Sequence, residues 1–171
     1  ELRINKYMNN LLKTENVDYV VASDTDSIYL TLDEIVRRAF ADNLERTDSS
    51  RIISFMDKIC ENKIQPFIDE SYQSLATYVN AYAQKMQMKR EALAERGIWT
   101  AKKRYIMNVH NNEGVQYAKP KLKVMGLEMI KSSTPSAIRE KMKDVIELIL
   151  RGTENDVQEF IDNFKSEFSK L

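Results

Sequence analysis

The sequence has few cysteines, histidines, glycines and prolines, and each shortage narrows what the chain can be. One cysteine in 171 residues excludes an intramolecular disulfide framework and is typical of a reducing compartment. One histidine excludes a histidine-rich metal site. Four glycines and three prolines favour abundant helix and few long loops. No apolar run is long enough to span a membrane and no signal peptide is visible, so we expect a cytoplasmic protein with no membrane partner.

Charge is balanced over the whole chain but not along it. The 26 basic and 26 acidic residues cancel, so overall charge neither favours nor excludes a nucleic-acid partner. Residues 99–131, however, contain seven lysines and arginines and only two glutamates. Local charge therefore indicates where a polyanion would bind.

The most informative stretch runs from Asp18 to Leu32. Two segments rich in β-branched and aromatic residues flank Ser-Asp-Thr-Asp-Ser, whose short polar side chains favour a tight turn. This pattern predicts a β-hairpin that carries Asp24 and Asp26 at its tip. Extended backbone would place both carboxylates on the same side. Two anionic oxygen donors suit Mg²⁺ or Mn²⁺.

The simpler interpretation of this turn is a solvated loop. Most Asp-x-Asp triplets are surface charges, and for the triplet alone that interpretation is favoured. The flanking strands change the balance, because adjacent like charges destabilise a hairpin unless a cation offsets them. We therefore take Asp24 and Asp26 as candidate metal ligands.

The remaining pattern alternates between helical and strand periods. It predicts an α+β fold with an antiparallel sheet, packed helices and a closing helical segment, divided near Lys131 into residues 1–131 and 132–171. Gly126 is predicted as a bulge or a close-approach point. The predicted helices cover residues 2–14, 32–40 and 51–83, the last interrupted by Pro66. A further pair starts at Thr134-Pro135 and Thr153 and is separated by Gly152. The predicted strands cover residues 87–93, 99–109, 115–117 and 122–125, with a turn at residues 111–114.

A basic surface is predicted on this sheet. Lys102, Lys103 and Arg104 form a run, with the two lysines on opposite faces of one strand. Lys121 and Lys123 alternate with apolar residues and so share a face. Each lysine alone is best explained as solvated surface, but the clustered set favours contact with a phosphate backbone.

Three other single residues have simpler explanations. Cys60 lies on an apolar helical stripe and is expected to be buried core. His110 adjoins a turn and is expected to be exposed. Trp99 and Tyr105 are either stacking residues or core, and core packing is the default for large aromatics in strands.

Several motifs in order resemble family B DNA polymerases. Ser23-Asp24-Thr25-Asp26-Ser27 resembles their motif C, Tyr-Gly-Asp-Thr-Asp-Ser, with Ser23 in place of the usual glycine. Lys102-Lys103-Arg104-Tyr105 is similar to the Lys-Lys-Arg/Lys-Tyr motif that follows it. The segment 123–135 looks like the palm-to-thumb junction of T-even-type phage replicative polymerases. An ordered set covering nearly the whole chain is more specific than any single motif.

The resemblance implies a fold, cofactors and roles. Residues 1–131 would be the C-terminal part of the palm and residues 132–171 the N-terminal part of the thumb. Asp26 would be the main metal ligand, Asp24 a weaker companion and Glu91 a carboxylate near the metal site, holding two Mg²⁺ ions with Mn²⁺ as an alternative. Thr25 would bind nucleotide. The contacts to primer–template DNA would come from Lys102, Lys103, Arg104, Tyr105, Lys121 and Lys123.

The resemblance also shows which polymerase parts have no counterpart here. Motif A with its partner aspartate, the fingers helix that holds the deoxynucleoside triphosphate, and an exonuclease domain are not found. The chain opens at Glu1 inside a predicted helix, which we interpret as a fragment or a processed piece. We expect the isolated chain to be inactive until it is joined to the missing N-terminal polymerase portion, in the host cytoplasm if it is phage-encoded.

Two other function classes remain open. A sugar-nucleotide glycosyltransferase also places Asp-x-Asp at a strand end, but it needs a nucleotide-binding half, and only residues 1–23 precede the motif. A non-catalytic DNA-binding module would retain the basic surface and carry a vestigial acidic hairpin. Sugar-nucleotide binding identifies the first, and salt-dependent duplex binding without metal dependence identifies the second.

Overall fold

The structure is a computed structural model, and it describes residues 1–41, 43 and 46–168. Helices and strands alternate along it, which confirms the predicted α+β class. The helices are α1 (Leu2–Leu12), α2 (Asp33–Phe40), α3 (Ser49–Ile59), α4 (Gln65–Tyr78), α5 (Ser136–Arg151) and α6 (Glu154–Phe168). The strands are β1 (Val20–Ser23), β2 (Ile28–Leu30), β3 (Ala92–Ala101), β4 (Arg104–Asn112) and β5 (Val115–Met125).

Two sheets organise these strands. Strands β1 and β2 pair antiparallel as a hairpin, with a register irregularity between Val20 and Ala22. Strands β3, β4 and β5 form a second sheet in sequence order. Because two-residue turns connect them, neighbouring strands in this sheet run antiparallel. Strand β4 is buried on both faces from Tyr105 to Asn111, as the central position in the sheet requires.

The chain divides into two compact units, and each has its own core. One unit comprises Glu1–Leu93 and His110–Tyr117, and the other comprises Ala94–Val109 and Ala118–Leu171. The first core gathers buried side chains from α1, α2, α3, the segments that follow α1 and α3, and the start of β3: Ile4, Met8, Leu12, Tyr19, Ile35, Ile53, Met56, Cys60, Ile64 and Leu93. The second core joins Ile106 of the sheet to Ile146 and Leu150 of α5. The predicted palm and thumb ranges remain a prediction, and residues 169–171 of the latter lie outside the described residues.

The long helical region is interrupted, as Pro66 predicted, but the interruption lies before the proline. Residues Cys60–Ile64 form a π-helical turn between α3 and α4. A proline lacks the N–H that would continue the ladder, and its ring crowds the preceding turn. Tyr7 contacts this region twice: its hydroxyl donates to the Lys63 carbonyl over 2.7 Å, and its ring stacks on Phe67.

Two strand predictions are wrong. Residues 87–91 lie outside any strand, and β3 begins only at Ala92. The predicted strand over residues 99–109 is instead two strands that meet at a turn, Lys102-Lys103. The turn at residues 111–114 is confirmed, with Glu113 at φ 50° and Gly114 at φ 87°. Such paired positive φ values match the twist of a two-residue hairpin.

The last two helices start and stop largely as predicted. Helix α5 begins at Ser136 with Pro135 at its N-cap position, so the predicted N-cap role of Thr134 is wrong by one residue. Gly152 ends α5, as predicted. Thr153 caps α6, since its hydroxyl accepts from the Asp156 N–H while its own N–H donates to the Asp156 carboxylate. Over the part of the chain that the structure describes, no helix combines the length and apolarity needed to cross a membrane.

Candidate functional site

The hairpin between β1 and β2 carries the two candidate carboxylates, as predicted. Ser23 pairs with Ile28 at the ends of the strands, and the Asp24 N–H donates to the Ser27 carbonyl over 2.9 Å, which closes the tip. Ser23 lies in strand β1, and positive φ is not found at this position. The serine therefore fits where the family motif has glycine, because extended backbone accepts any side chain.

The two aspartates differ in their surroundings. One Asp24 carboxylate oxygen accepts the Thr25 N–H over 2.9 Å, and the Thr25 hydroxyl lies 3.4 Å from the same oxygen. Asp24 is half-buried, whereas Asp26 is exposed. Both lie between the two strands, Asp26 in a bend, so the extended-backbone argument does not apply here and a shared side stays a prediction. Local bonds thus fix Asp24 at the tip, and Asp26 presents its carboxylate to solvent.

The donor set at the tip suits a hard cation but does not complete a site. Carboxylate and hydroxyl oxygens are the ligands that Mg²⁺ selects, and the tip offers two carboxylates. Among the described residues, no group of three or more histidine, cysteine, aspartate or glutamate side chains is placed to hold a metal ion. The residues therefore fit part of a divalent-metal site, and further ligands must come from outside this hairpin.

Glu91, the third predicted carboxylate, lies outside the strand on which it was predicted. It is exposed, and its carbonyl accepts the Glu113 N–H over 2.6 Å. It borders a cleft of about 1010 Å³ in the first unit, whose wall also includes Gln65, Asp69 and Lys89. Its predicted metal role stays a prediction.

The predicted basic strand is a basic turn. Lys102 and Lys103 link β3 to β4, and Lys103 adopts a left-handed conformation with φ 61°. The prediction that these lysines face opposite sides of one strand is therefore wrong. Both are exposed, whereas the following Arg104 is half-buried. A tight turn projects its side chains together, which concentrates positive charge at one end of the sheet.

The other predicted contact residues lie on neighbouring strands. Lys121 is exposed and Lys123 half-buried on β5. Tyr105 is buried with 7% exposure, and its ring centroid lies 6.1 Å from that of Trp99. Core packing is thus the observed setting of Tyr105, and its contact with DNA stays a prediction.

Next to the basic turn lies a set of contacts that the sequence did not predict, here called the clamp, formed by Arg104, Gly126, Glu128 and Lys131. Arg104 donates to both carboxylate oxygens of Glu128, over 2.8 and 2.7 Å. Lys131 also contacts Glu128, at 3.3 Å. A hydrogen bond from its own backbone N–H, one from Lys131 and the charge of Arg104 together hold the pKa of Glu128 below its ordinary range. No pattern in the sequence pairs residues 104 and 128.

Gly126 is the part of this clamp that the sequence did indicate. It adopts φ 68°, and a Cβ there would overlap the Lys103 carbonyl oxygen and meet the Arg104 side chain at 3.1 Å. The predicted close approach is confirmed. Only glycine allows the left-handed backbone and this contact together.

Two single-residue predictions have opposite outcomes. Cys60 is buried, as predicted, and burial raises its pKa to about 11. His110, predicted to be exposed, is buried on β4 beside Asn111. His110 is one of the last residues of the central strand, so it is covered by the neighbouring strands although a turn follows. The local sequence does not show that β4 is central.

Comparison with known proteins identifies the family. The family model for divergent family B DNA polymerases matches residues 10–163 of this chain. The DNA-directed DNA polymerase of Enterobacteria phage T4 is 36% identical over 177 residues, which cover 99% of this chain and 20% of that protein. The DNA-directed DNA polymerase of Escherichia phage RB69 is 38% identical over 159 residues, covering 88% of this chain and 17% of that protein. The chain thus spans about a fifth of the length of these relatives. It belongs to the divergent family B DNA polymerases.

Proposed function

We propose that this chain is the motif C portion of a DNA-directed DNA polymerase. It supplies carboxylates to a two-metal nucleotidyl-transfer site and basic residues to primer–template DNA. The observation that carries this proposal is the antiparallel hairpin with Asp24 and Asp26 at its tip, in a chain of this family. Residues 1–131 are assigned to the palm and residues 132–171 to the thumb, and the enzyme acts in the host cytoplasm.

In this proposal the two aspartates have different roles as metal ligands. Asp26 is the main ligand because it is exposed, and Asp24 is the weaker companion because the Thr25 amide already occupies one of its oxygens. Thr25 lies beside the incoming deoxynucleoside triphosphate. Two Mg²⁺ ions in the complete site would activate the attacking oxygen and stabilise the leaving one, with Mn²⁺ as an alternative. Glu91 supplies a nearby carboxylate.

The basic turn is assigned to contact with the duplex. Exposed lysines at a tight turn neutralise backbone phosphates and release counterions without reading sequence. The residues assigned to this contact are Lys102, Lys103, Arg104, Tyr105, Lys121 and Lys123. The helices that follow residue 132 are assigned to the grip on duplex product.

Other parts of the polymerase complete the site. In this proposal the partner aspartate of motif A and the nucleotide-holding helix, which have no counterpart in this chain, come from another portion of the polymerase. We therefore expect the 171-residue chain to bind metal weakly and to extend no primer alone. A polymerase portion supplying those groups, on the same polypeptide or a separate one, makes the site active.

Calorimetric titration of Mn²⁺ tests this assignment. The wild-type chain, Asp26→Asn and Asp144→Asn are compared with and without a primer–template duplex. Asp144 is an exposed aspartate of α5 and is the matched control for loss of one negative charge. We expect weak binding that strengthens with duplex, disappears in Asp26→Asn and persists in Asp144→Asn.

The other outcomes decide between function classes. Duplex binding without any metal binding would assign the chain to the DNA-binding modules. Binding of a sugar nucleotide, together with indifference to duplex, would instead support a glycosyltransferase. Primer extension by the wild-type chain above a buffer-only reaction, abolished in Asp26→Asn, would show that the chain is active alone and would contradict the incomplete-site proposal.

A further inference from the structure

The Lys102-Lys103 turn contains a left-handed backbone conformation that is unfavourable for lysine. Lysine has no short polar side chain to stabilise the left-handed region, yet Lys103 has φ 61°. Non-glycine residues in this region cost roughly 1–2 kcal/mol. The two-residue connection between β3 and β4 calls for such a conformation, and contacts from a neighbouring segment can stabilise it.

The neighbouring segment that touches this turn is residues 126–128. Gly126 lies directly against the Lys103 carbonyl. Two residues later, the Glu128 carboxylate receives both hydrogen bonds from Arg104, the residue that ends the turn. Both bonds come from Nη2 of Arg104, so one charged nitrogen links the guanidinium to the whole carboxylate group. One short segment therefore holds the turn at its backbone and at its next side chain.

Glu128 also faces the start of α5. Its backbone carbonyl accepts the Thr134 hydroxyl over 2.8 Å, and its carboxylate contacts Lys131. Residues Glu128–Ile130 form a 3₁₀ turn that leads into this junction. Glu128 is thus bonded on one side to the basic turn and on the other to the residue two positions before α5.

The Arg104–Glu128 pair is poorly suited to a role in stability alone. The side chains are 43% and 50% exposed. Exposed pairs typically contribute about 0–1 kcal/mol. A glutamate in contact with Arg104 and Lys131 also weakens the attraction of this surface for phosphate. Its presence there needs a reason other than charge or stability.

We propose that Glu128 is a positioning residue, which acts through Arg104 to hold the Lys102-Lys103 turn in a fixed relation to the start of α5. Arg104 then supports the turn in addition to its assigned contact with the duplex. This inference rests on the proposed function, since the turn is taken to contact the duplex. It assigns Glu128 a favourable role in DNA binding although its charge alone opposes binding.

Charge and positioning predict opposite signs for one substitution. If Glu128 acts only through its charge, Glu128→Gln tightens duplex binding, as removal of any nearby negative charge does. If Glu128 positions the turn, Glu128→Gln weakens binding by about tenfold, within the range of coupling between residues in one network. Glu140→Gln on α5 removes one exposed negative charge and is the matched control.

A double-mutant cycle measured by fluorescence anisotropy with a primer–template duplex tests the proposal. It compares wild type, Arg104→Gln, Glu128→Gln and the double variant at several salt concentrations. We expect both single variants to bind more weakly, the double variant to bind no more weakly than the weaker single variant, and the salt slope of Glu128→Gln to fall. Glu140→Gln should bind at least as tightly as wild type.

A second variant covers the case in which Glu128→Gln does not fold. Glu128→Asp keeps the charge but shortens the side chain. Positioning therefore predicts weaker duplex binding, whereas charge alone predicts unchanged binding. Additive effects with tighter binding in Glu128→Gln, or unchanged binding in Glu128→Asp, would overturn the positioning role and leave the proposed function intact. A wild-type chain that does not bind duplex would instead refute the proposed function itself.

Discussion

Gly126 is a single residue on which the conformation of the basic turn depends. Its φ of 68° already disfavours any side chain, and a Cβ would also overlap the Lys103 carbonyl. We expect Gly126→Ala to lower the free energy of unfolding by about 2–3 kcal/mol, since conformational strain and steric overlap add. Urea unfolding followed by circular dichroism measures the change.

Gly114 is the matched control for Gly126. It also has a positive φ, 87°, but nothing lies within 4 Å of the position a Cβ would take. Gly114→Ala therefore carries only the conformational cost, about 1 kcal/mol. Equal losses in the two variants would show that the contact with Lys103 contributes nothing.

Cys60 makes stability depend on pH at the alkaline end. Burial raises its pKa from 9.0 to about 11, so the unfolded chain loses the thiol proton more readily than the folded one. The stability that the neutral thiol contributes is therefore complete below pH 9 and is lost as the pH rises towards 11. We expect Cys60→Ala to show a smaller decrease in stability over this interval, measured by urea unfolding at a series of pH values.

The thiol should also react slowly in the folded chain. At pH 8 a rise of two pKa units lowers the thiolate fraction roughly 100-fold, and burial restricts access further. Reaction with a chromogenic disulfide reagent, with and without urea, measures this protection. Equal rates in both conditions would contradict the buried location.

Single residues were predictable where local chemistry decides their conformation. Gly126, Gly152 and Cys60 were predicted correctly because the φ angle, the helix end or the apolar stripe leaves few alternatives. Lys103 was not, because lysine carries no turn signal and the left-handed conformation is held by residues 126–128. Tertiary contacts of this kind have no local signature.

At the scale of elements, Arg90 attaches the irregular segment 84–91 to α3. Its guanidinium lies 2.5 Å from the Asp57 carboxylate and donates to the Asn111 amide oxygen over 2.9 Å. The two charged side chains are only 16% and 26% exposed. We expect Arg90→Met to cost about 3–5 kcal/mol, because it leaves a mostly buried carboxylate without its counter-charge. Urea unfolding measures the loss.

Two further variants separate lost pairing from lost packing. Arg90→Met combined with Asp57→Leu removes both charges and should recover much of the stability. Arg37→Met breaks the α2 pair with Asp33, whose side chains are 66% and 60% exposed, and should change stability by about 0.5 kcal/mol or less. A double variant as unstable as Arg90→Met would show that arginine packing, and not the charge pair, stabilises this segment.

Element types were more predictable than their interruptions. The periodic apolar stripe predicted the long helical region and Pro66 predicted a break, but a π turn over Cys60–Ile64 was not indicated. A π turn forms where the packing around a helix accommodates an extra residue, here beside Tyr7. The helix propensities of the local residues do not indicate where such a turn will occur. The predicted strand over 87–93 is wrong for residues 87–91, where side-chain contacts replace a strand ladder: Gln65 donates to the Met88 carbonyl, and Arg90 pairs with Asp57.

At the scale of the whole molecule, the class and the order of motifs were predictable and the tertiary pairings were not. Hydrophobic periods and turn residues act locally, so α+β order and the aspartate-bearing hairpin followed from the sequence. The division into two units does not follow the chain order, because β4 and β5 each contribute residues to both. Such a division depends on tertiary packing of the strands against other elements, which local patterns do not encode.

The whole chain is electrically neutral, so its binding to duplex must come from local charge and must be sensitive to salt. Each neutralised phosphate changes the slope of log K against log salt by about −0.9. We expect Lys103→Gln and Lys123→Gln each to reduce the magnitude of this slope by about 1, as measured by fluorescence anisotropy from low to moderate salt. Lys6→Gln, which removes one exposed charge from α1, should leave the slope unchanged. Equal changes in all three variants would mean that net charge, and not the basic turn with β5, attracts the duplex.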